Sequence, residues 1–264
     1  MDHVKAALEL ALNRDDFCSA AEAEIEYGNI YAYSNAKEAI RHWEKSVYYI
    51  SIGNNDSYYF HVYRHGYYIL SQLFAGEISD ELASEIEKLQ KLRGKTFLYQ
   101  QLFIDDICAD YYIIQYMNGK CGVQSLKDVI PQLSRMKADS YSYTPEISIL
   151  ATYKLFTVYR LLCEVELTDV NKDMGKILAY ELIKNNIFAE GRLDYSEMIL
   201  NDIFRFCRDK SDLEDEILYE LPENAQKKFL QFKETDAVNG ESHAVTLLSD
   251  KKRQVNLLHF NYVF

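Results

Sequence analysis

Turn formers are scarce in this chain. Ten glycines and three prolines serve 264 residues, whereas turn-dense all-β proteins draw heavily on both residue types. So long a chain with so few must run in long uninterrupted elements, and an all-α fold is expected. Cysteine supplies no framework either. Cys18, Cys108, Cys121, Cys163 and Cys207 are odd in number, scattered and never in a C-x-x-C arrangement. That pattern fits neither a disulfide scaffold nor a zinc knuckle, and each is expected to pack as a small apolar side chain. No apolar run approaches the about 20 residues of a membrane span, and Met1-Asp2-His3-Val4-Lys5 lacks the basic and then apolar pattern of a secretory signal. A cytoplasmic protein without a membrane partner is the expectation. Positive charge is also short, 29 lysines and arginines against 41 acids for a net charge of −12. Generic attraction to nucleic acid is therefore unfavourable. The Gly-rich phosphate cradle, the dinucleotide fingerprint and the nucleophile elbow are all missing, so no catalytic residue, metal or cofactor is assigned.

Apolar material is ample, at 48 % of residues, and its spacing is helical throughout. Helices are expected over about 3–13, from the capping pair Asp15-Asp16 to Tyr33, and from Ala36 to Ile50. A tyrosine-rich helix then ends at Ala75. Ser79 with Asp80 and Glu81 marks the next start, a cap followed by acids at the positive end of the helix dipole, and Gly94 marks its end. A long helix covers 95–118, and Ser125 with Asp128 opens another, which Pro131 should kink or restart. Thr144-Pro145-Glu146 starts a helix that is apolar on nearly every face and is expected to be a central buried element. Further helices fall near 172–188, 194–209, 212–220 and 222–233. Together they read as an array or bundle of about five antiparallel helical hairpins, starting near residues 15, 57, 95, 145 and 194, in one domain over 1–240. Residues 241–264 alternate weakly and read as a segment packing on that domain, as a short β-hairpin or a final helix.

Tyr27-Gly28, Tyr31, Ala39, Trp43 and Ser46 fall close to the small and large packing positions of one helical hairpin. Over residues 20–50 this segment resembles a tetratricopeptide repeat, in which a Gly and a Tyr of the first helix receive an Ala and an aromatic of the second. The turn is one residue shorter than in that family, and Ser46 stands where its last Ala belongs. The resemblance implies hairpin packing and a concave, peptide-binding surface.

Several constellations touch on chemistry. His61 and His65 share a helical face at a metal-binding spacing, but Val62 stands where a zinc protease carries its glutamate. Arg253 and His259 are spaced in a way similar to the Arg/His pair of the higher eukaryotes and prokaryotes nucleotide-binding ribonuclease family. That resemblance implies an imidazole and a guanidinium acting on an RNA phosphate, although Gln254 follows the arginine here and the chain is acidic. Asp105, Asp106 and Asp110 lie on one long helix, and a solvated or ion-paired face is the expected account of them.

Two further features point to docking. Tyrosine numbers 22, with Tyr58, Tyr59, Tyr63 and Tyr67 concentrated beside one loop, and tyrosine offers contact area and a hydroxyl at small entropic cost. Asp212, Glu214, Asp215, Glu216, Glu220 and Glu223 form an acidic stretch able to steer a basic partner. The leading expectation is a non-catalytic protein-binding protein, in particular an acidic immunity- or antitoxin-type inhibitor of a basic partner such as a nuclease toxin. A helical scaffold binding peptides in a groove is the alternative, and a helical ribonuclease or metal-dependent hydrolase the third reading.

Overall fold

The computed structural model describes residues 2–32, 35–53, 57–141, 144–185, 196–208 and 211–239. Among these residues are twelve helices and no strand, so the protein is all-α. No helix among them is long and apolar enough to cross a membrane. Segment 241–264, with the expected terminal hairpin and the Arg253/His259 pair, lies outside the described residues. Contacts cluster into two units, Met1–Gln115 and Tyr116–Asp250.

In the first unit α1 (Asp2–Leu12), α2 (Phe17–Tyr31), α3 (Ala36–Ile52), α4 (Tyr58–Ala75) and α5 (Asp80–Leu92) each pack on the next in sequence. A 3-10 turn (Arg93–Lys95) then leads into α6 (Leu98–Met117). The starts follow from local chemistry. Asp16, Asn35, Ser57 and Ser79 each accept a backbone N–H of the first turn through the side chain, relieving donors that the helix itself cannot satisfy. At the other end of α4, Gly76 turns left-handed (φ 74°) and its N–H donates to the Gln72 and Leu73 carbonyls, a conformation that favours glycine.

The α2–α3 pair is unusually close. A Cβ on Gly28 would stand 2.2 Å from Trp43 Nε1, so only a glycine lets the indole lie on the α2 backbone. Trp43 is fully buried, donates from Nε1 to Asn29 Oδ1 at 3.3 Å, and meets Phe74 edge-on at 4.7 Å between centroids. Beside it His42 Nδ1–H donates to Glu24 Oε2, with Lys45 Nζ 3.5 Å from the other carboxylate oxygen. Both His42 and Glu24 are buried.

The next pair, α4–α5, carries a similar device: His65 Nδ1–H donates to Glu85 Oε2 at 2.5 Å, and Lys88 Nζ sits 2.5 Å from Glu85 Oε1. Burial holds the imidazole below its ordinary 6.5, outweighing the carboxylate's pull. Burial would raise the Glu85 carboxyl, but its hydrogen bonds from Lys88 and His65 hold it below 4.5. For both groups the unfolded chain takes up the proton first as pH falls. Stability should therefore be full above pH 6.5, fall as pH drops through the His65 range, and fall again below 4.5. Calorimetric Tm against pH checks this. His65→Gln should flatten the upper step only, and a wild-type profile with no step between 6.5 and 4.5 would contradict it.

The second unit holds α7 (Val123–Ser140), α8 (Pro145–Val165), α9 (Asp169–Lys184), α10 (Ser196–Cys207), α11 (Ser211–Glu220) and α12 (Glu223–Asn239). Ser125 does not open α7. The helix begins at Val123, and the Ser125 N–H already bonds the Gly122 carbonyl. Nor does Pro131 restart it, since α7 runs on to Ser140. As expected, α8 is buried on nearly every face and packs against both α7 and α9, while α10 gathers α11 and α12. A polar bond crosses this core: the Tyr153 hydroxyl donates to Asp202 Oδ2 on α10 at 2.5 Å. Burial, then the Asp202 charge, hold that hydroxyl well above its ordinary pKa, so it stays protonated.

Candidate functional site

The first unit contains a groove of about 610 Å³ lined by residues from four helices. Its floor and one wall come from the regular spacing of α4 and α6. Tyr59, Tyr63 and Tyr67 recur every fourth residue on α4, and Tyr99 and Phe103 do so on α6, so each set shares one helical face. The rings contact one another: Tyr59 meets Tyr63 edge-on at 4.6 Å, Tyr63 and Tyr67 stack at 5.8 Å, and Phe103 lies 5.5 and 5.3 Å from Tyr63 and Tyr67. The opposite wall is α2, which presents Ser19, Glu22, Glu26 and Asn29 at spacings of three and four residues. Those spacings make a polar stripe along a helix whose other faces are largely buried. From α1, His3, Val4 and Ala7 complete the rim.

Exposure falls from mouth to floor. Glu22 and Tyr59 (37 %) are exposed, Glu26 is intermediate, and Tyr67 (2 %) and Phe103 (1 %) are buried. The Tyr59 hydroxyl donates to Glu22 Oε1 at 3.1 Å. Burial pushes the Tyr63 hydroxyl up to about 12 and those of Tyr59, Tyr67 and Tyr99 above their ordinary range as well. At neutral pH these four are uncharged hydroxyls, suited to hydrogen bonding rather than to work as bases. Burial also raises the Glu26 carboxyl, although the group stands beside open groove. Among the described residues neither Glu22 nor Glu26 forms an ion pair.

The structure sorts the expected binding residues unevenly. Tyr58 and Tyr59 are accessible, and Lys95 Nζ lies 5.5 Å over the Tyr58 ring. Tyr63 and Tyr67 are buried rather than on the outer surface: α4 is covered by α3 and by Phe103 of α6, and the two rings line the inside of the groove. The acidic stretch of α11 is also less free than expected. Glu214 pairs with Lys233 on α12 at 2.5 Å, Glu216 with Lys176 on α9 at 2.5 Å while accepting the Tyr180 hydroxyl, and Glu223 with Lys227 at 2.8 Å. Asp212, Asp215 and Glu220 are exposed. At least half the run thus serves to fasten helices or pair locally.

The other constellations are absorbed into the packing. His65 faces Glu85, and His61 is half-buried one turn before it. No group of three or more His, Cys, Asp or Glu side chains placed to hold a metal occurs among the described residues. The Asp105, Asp106 and Asp110 trio does not form a solvated face. All three are buried, because α6 is covered on nearly all sides, and Arg93 forks onto Asp105 with two hydrogen bonds of 2.9 Å. Sequence reasoning passed over Glu22, Glu26, Asn29 and Tyr99. The polar stripe on α2 was the one signal that could have found the first three. No family model, no curated protein and no solved structure matches this chain.

Proposed function

We propose that this chain is a non-catalytic protein-binding protein, a scaffold of helical hairpins that holds a segment of a partner polypeptide in the groove of its first unit. The observation that carries this reading is the groove itself, a concavity with a polar, accessible mouth and an aromatic floor built from four helices. Recognition sites that hold peptides combine these features: apolar area for affinity and a few fixed polar groups for orientation. Past the rim supplied by α1, the lining comes from α2, α4 and α6, while α3 and α5 contribute none of it. The resemblance of residues 20–50 to a tetratricopeptide hairpin, a unit whose stacking creates concave binding surfaces, supports this reading. An inhibitor of immunity or antitoxin type, acting on a basic protein such as a nuclease toxin, is the form of this function that the net charge of −12 favours.

Photocrosslinking in the native cell tests the proposal. A benzophenone side chain introduced in place of Tyr59 should trap a protease-sensitive partner. Ala7→Trp, which sets a large ring on the exposed rim of the groove, should abolish that adduct. An adduct unaffected by Ala7→Trp, or one sensitive to nuclease in place of protease, would overturn the reading.

A further inference from the structure

We infer that the groove takes a lysine- or arginine-bearing segment, whose cationic head is held between Glu22 and Glu26 while its stem lies along the rings of Tyr59 and Tyr63. This deepens the protein-binding reading and rests on it. Glu22 and Glu26 are four residues apart on α2, which puts their Cβ atoms about 5–6 Å from each other. Like charges at that spacing weaken a helix by about 0.2–0.5 kcal/mol, and elsewhere this protein answers such charges internally. Glu24, between them in sequence, has His42 and Lys45, and Glu85 has His65 and Lys88.

Glu22 has only the Tyr59 hydroxyl, and among the described residues Glu26 has neither an ion pair nor a hydrogen bond. Among the described residues, His3 is the one group lining the groove that can carry positive charge. Two carboxylates at the edge of an aromatic pocket, with no cation between them among the described residues, form a site complementary to a positive charge. A guanidinium or ammonium there would bridge both carboxylates through charge-assisted hydrogen bonds. The tyrosine rings beside it add attraction for a cation and apolar area for its methylene stem. An acidic segment would meet repulsion at the same point, so the pair also sets specificity.

Selection from a displayed random heptapeptide library against the full-length protein tests this, with fluorescence anisotropy on the peptides recovered. Selected peptides should share a lysine or arginine position. Replacing that residue by glutamine should weaken binding about tenfold, as should Glu22→Gln with Glu26→Gln in the protein. The double variant removes a repulsion within α2, so its Tm should match or exceed the wild type, which keeps misfolding out of the result. Peptides that carry no shared cation yet are displaced by Ala7→Trp would overturn the cationic inference and leave the groove reading standing. Failure to recover any peptide sensitive to Ala7→Trp would overturn both.

Discussion

Trp43→Ala should lower the unfolding free energy by about 3–5 kcal/mol, the range for deleting a large buried ring, as read from urea titration followed by circular dichroism. The indole is fully buried, fills the surface of Gly28, and holds Phe74 at 4.7 Å. The loss should reach the groove as well. Asn29 accepts from the indole and itself lines the groove, so one deletion loosens a lining residue at second hand. Gly28→Ala probes the same contact from the other side. Alanine is the better helix former by about 0.8–1.0 kcal/mol, yet its Cβ would fall 2.2 Å from the ring, and the clash should make the change destabilising. Trp43→Phe, which makes room, should blunt the effect of Gly28→Ala, so the two changes together should be less than additive. Independent, additive losses would show that the pair does not set the α2–α3 spacing.

His42→Leu is expected to be nearly as damaging, on the order of 3 kcal/mol, for a different reason. Glu24 is 1 % exposed, and without the imidazole its carboxylate would keep only the more distant Lys45 at 3.5 Å. A buried acceptor that loses its donor keeps its full desolvation penalty. Glu24→Leu combined with His42→Leu should therefore recover most of the loss, since two apolar groups of similar size leave nothing unsatisfied. Urea midpoints for the two single variants and the double variant measure this coupling. A double variant as unstable as the sum of its parts would locate the damage in shape rather than in the orphaned charge.

How much of this was legible in the sequence depended on the range of the signal. Helix starts were, because their signals are local: Ser79 caps the helix that opens with Asp80-Glu81, and Pro145 takes the first helical position after Thr144. Residue 125 misled because Gly122 offers the N-cap without any side chain, and Ser125 is already inside the first turn. The largely apolar character of α8 was readable from the sequence, but not that its Tyr153 would reach across to Asp202, which is 49 positions away. The tyrosines of α4 were conspicuous. Their direction was not, since whether a stripe faces solvent depends on which helices lie over it, and Phe103 is too far along the chain to announce itself. The buried Asp105, Asp106 and Asp110 make the same point: adjacent acids read as solvated until Arg93 is found folded back onto one of them.

Gly66 does not line the groove, yet a Cβ there would come within 2.4 Å of the Phe103 ring and 3.0 Å of Ile107. The floor is therefore set from behind, by a hydrogen atom where other residues carry carbon. Any larger residue at this position would displace Phe103 and so reshape the recess from a position outside its lining. Tolerance for bulkier or slimmer guests would then be tuned by a site invisible to them, and comparisons restricted to lining positions would miss it.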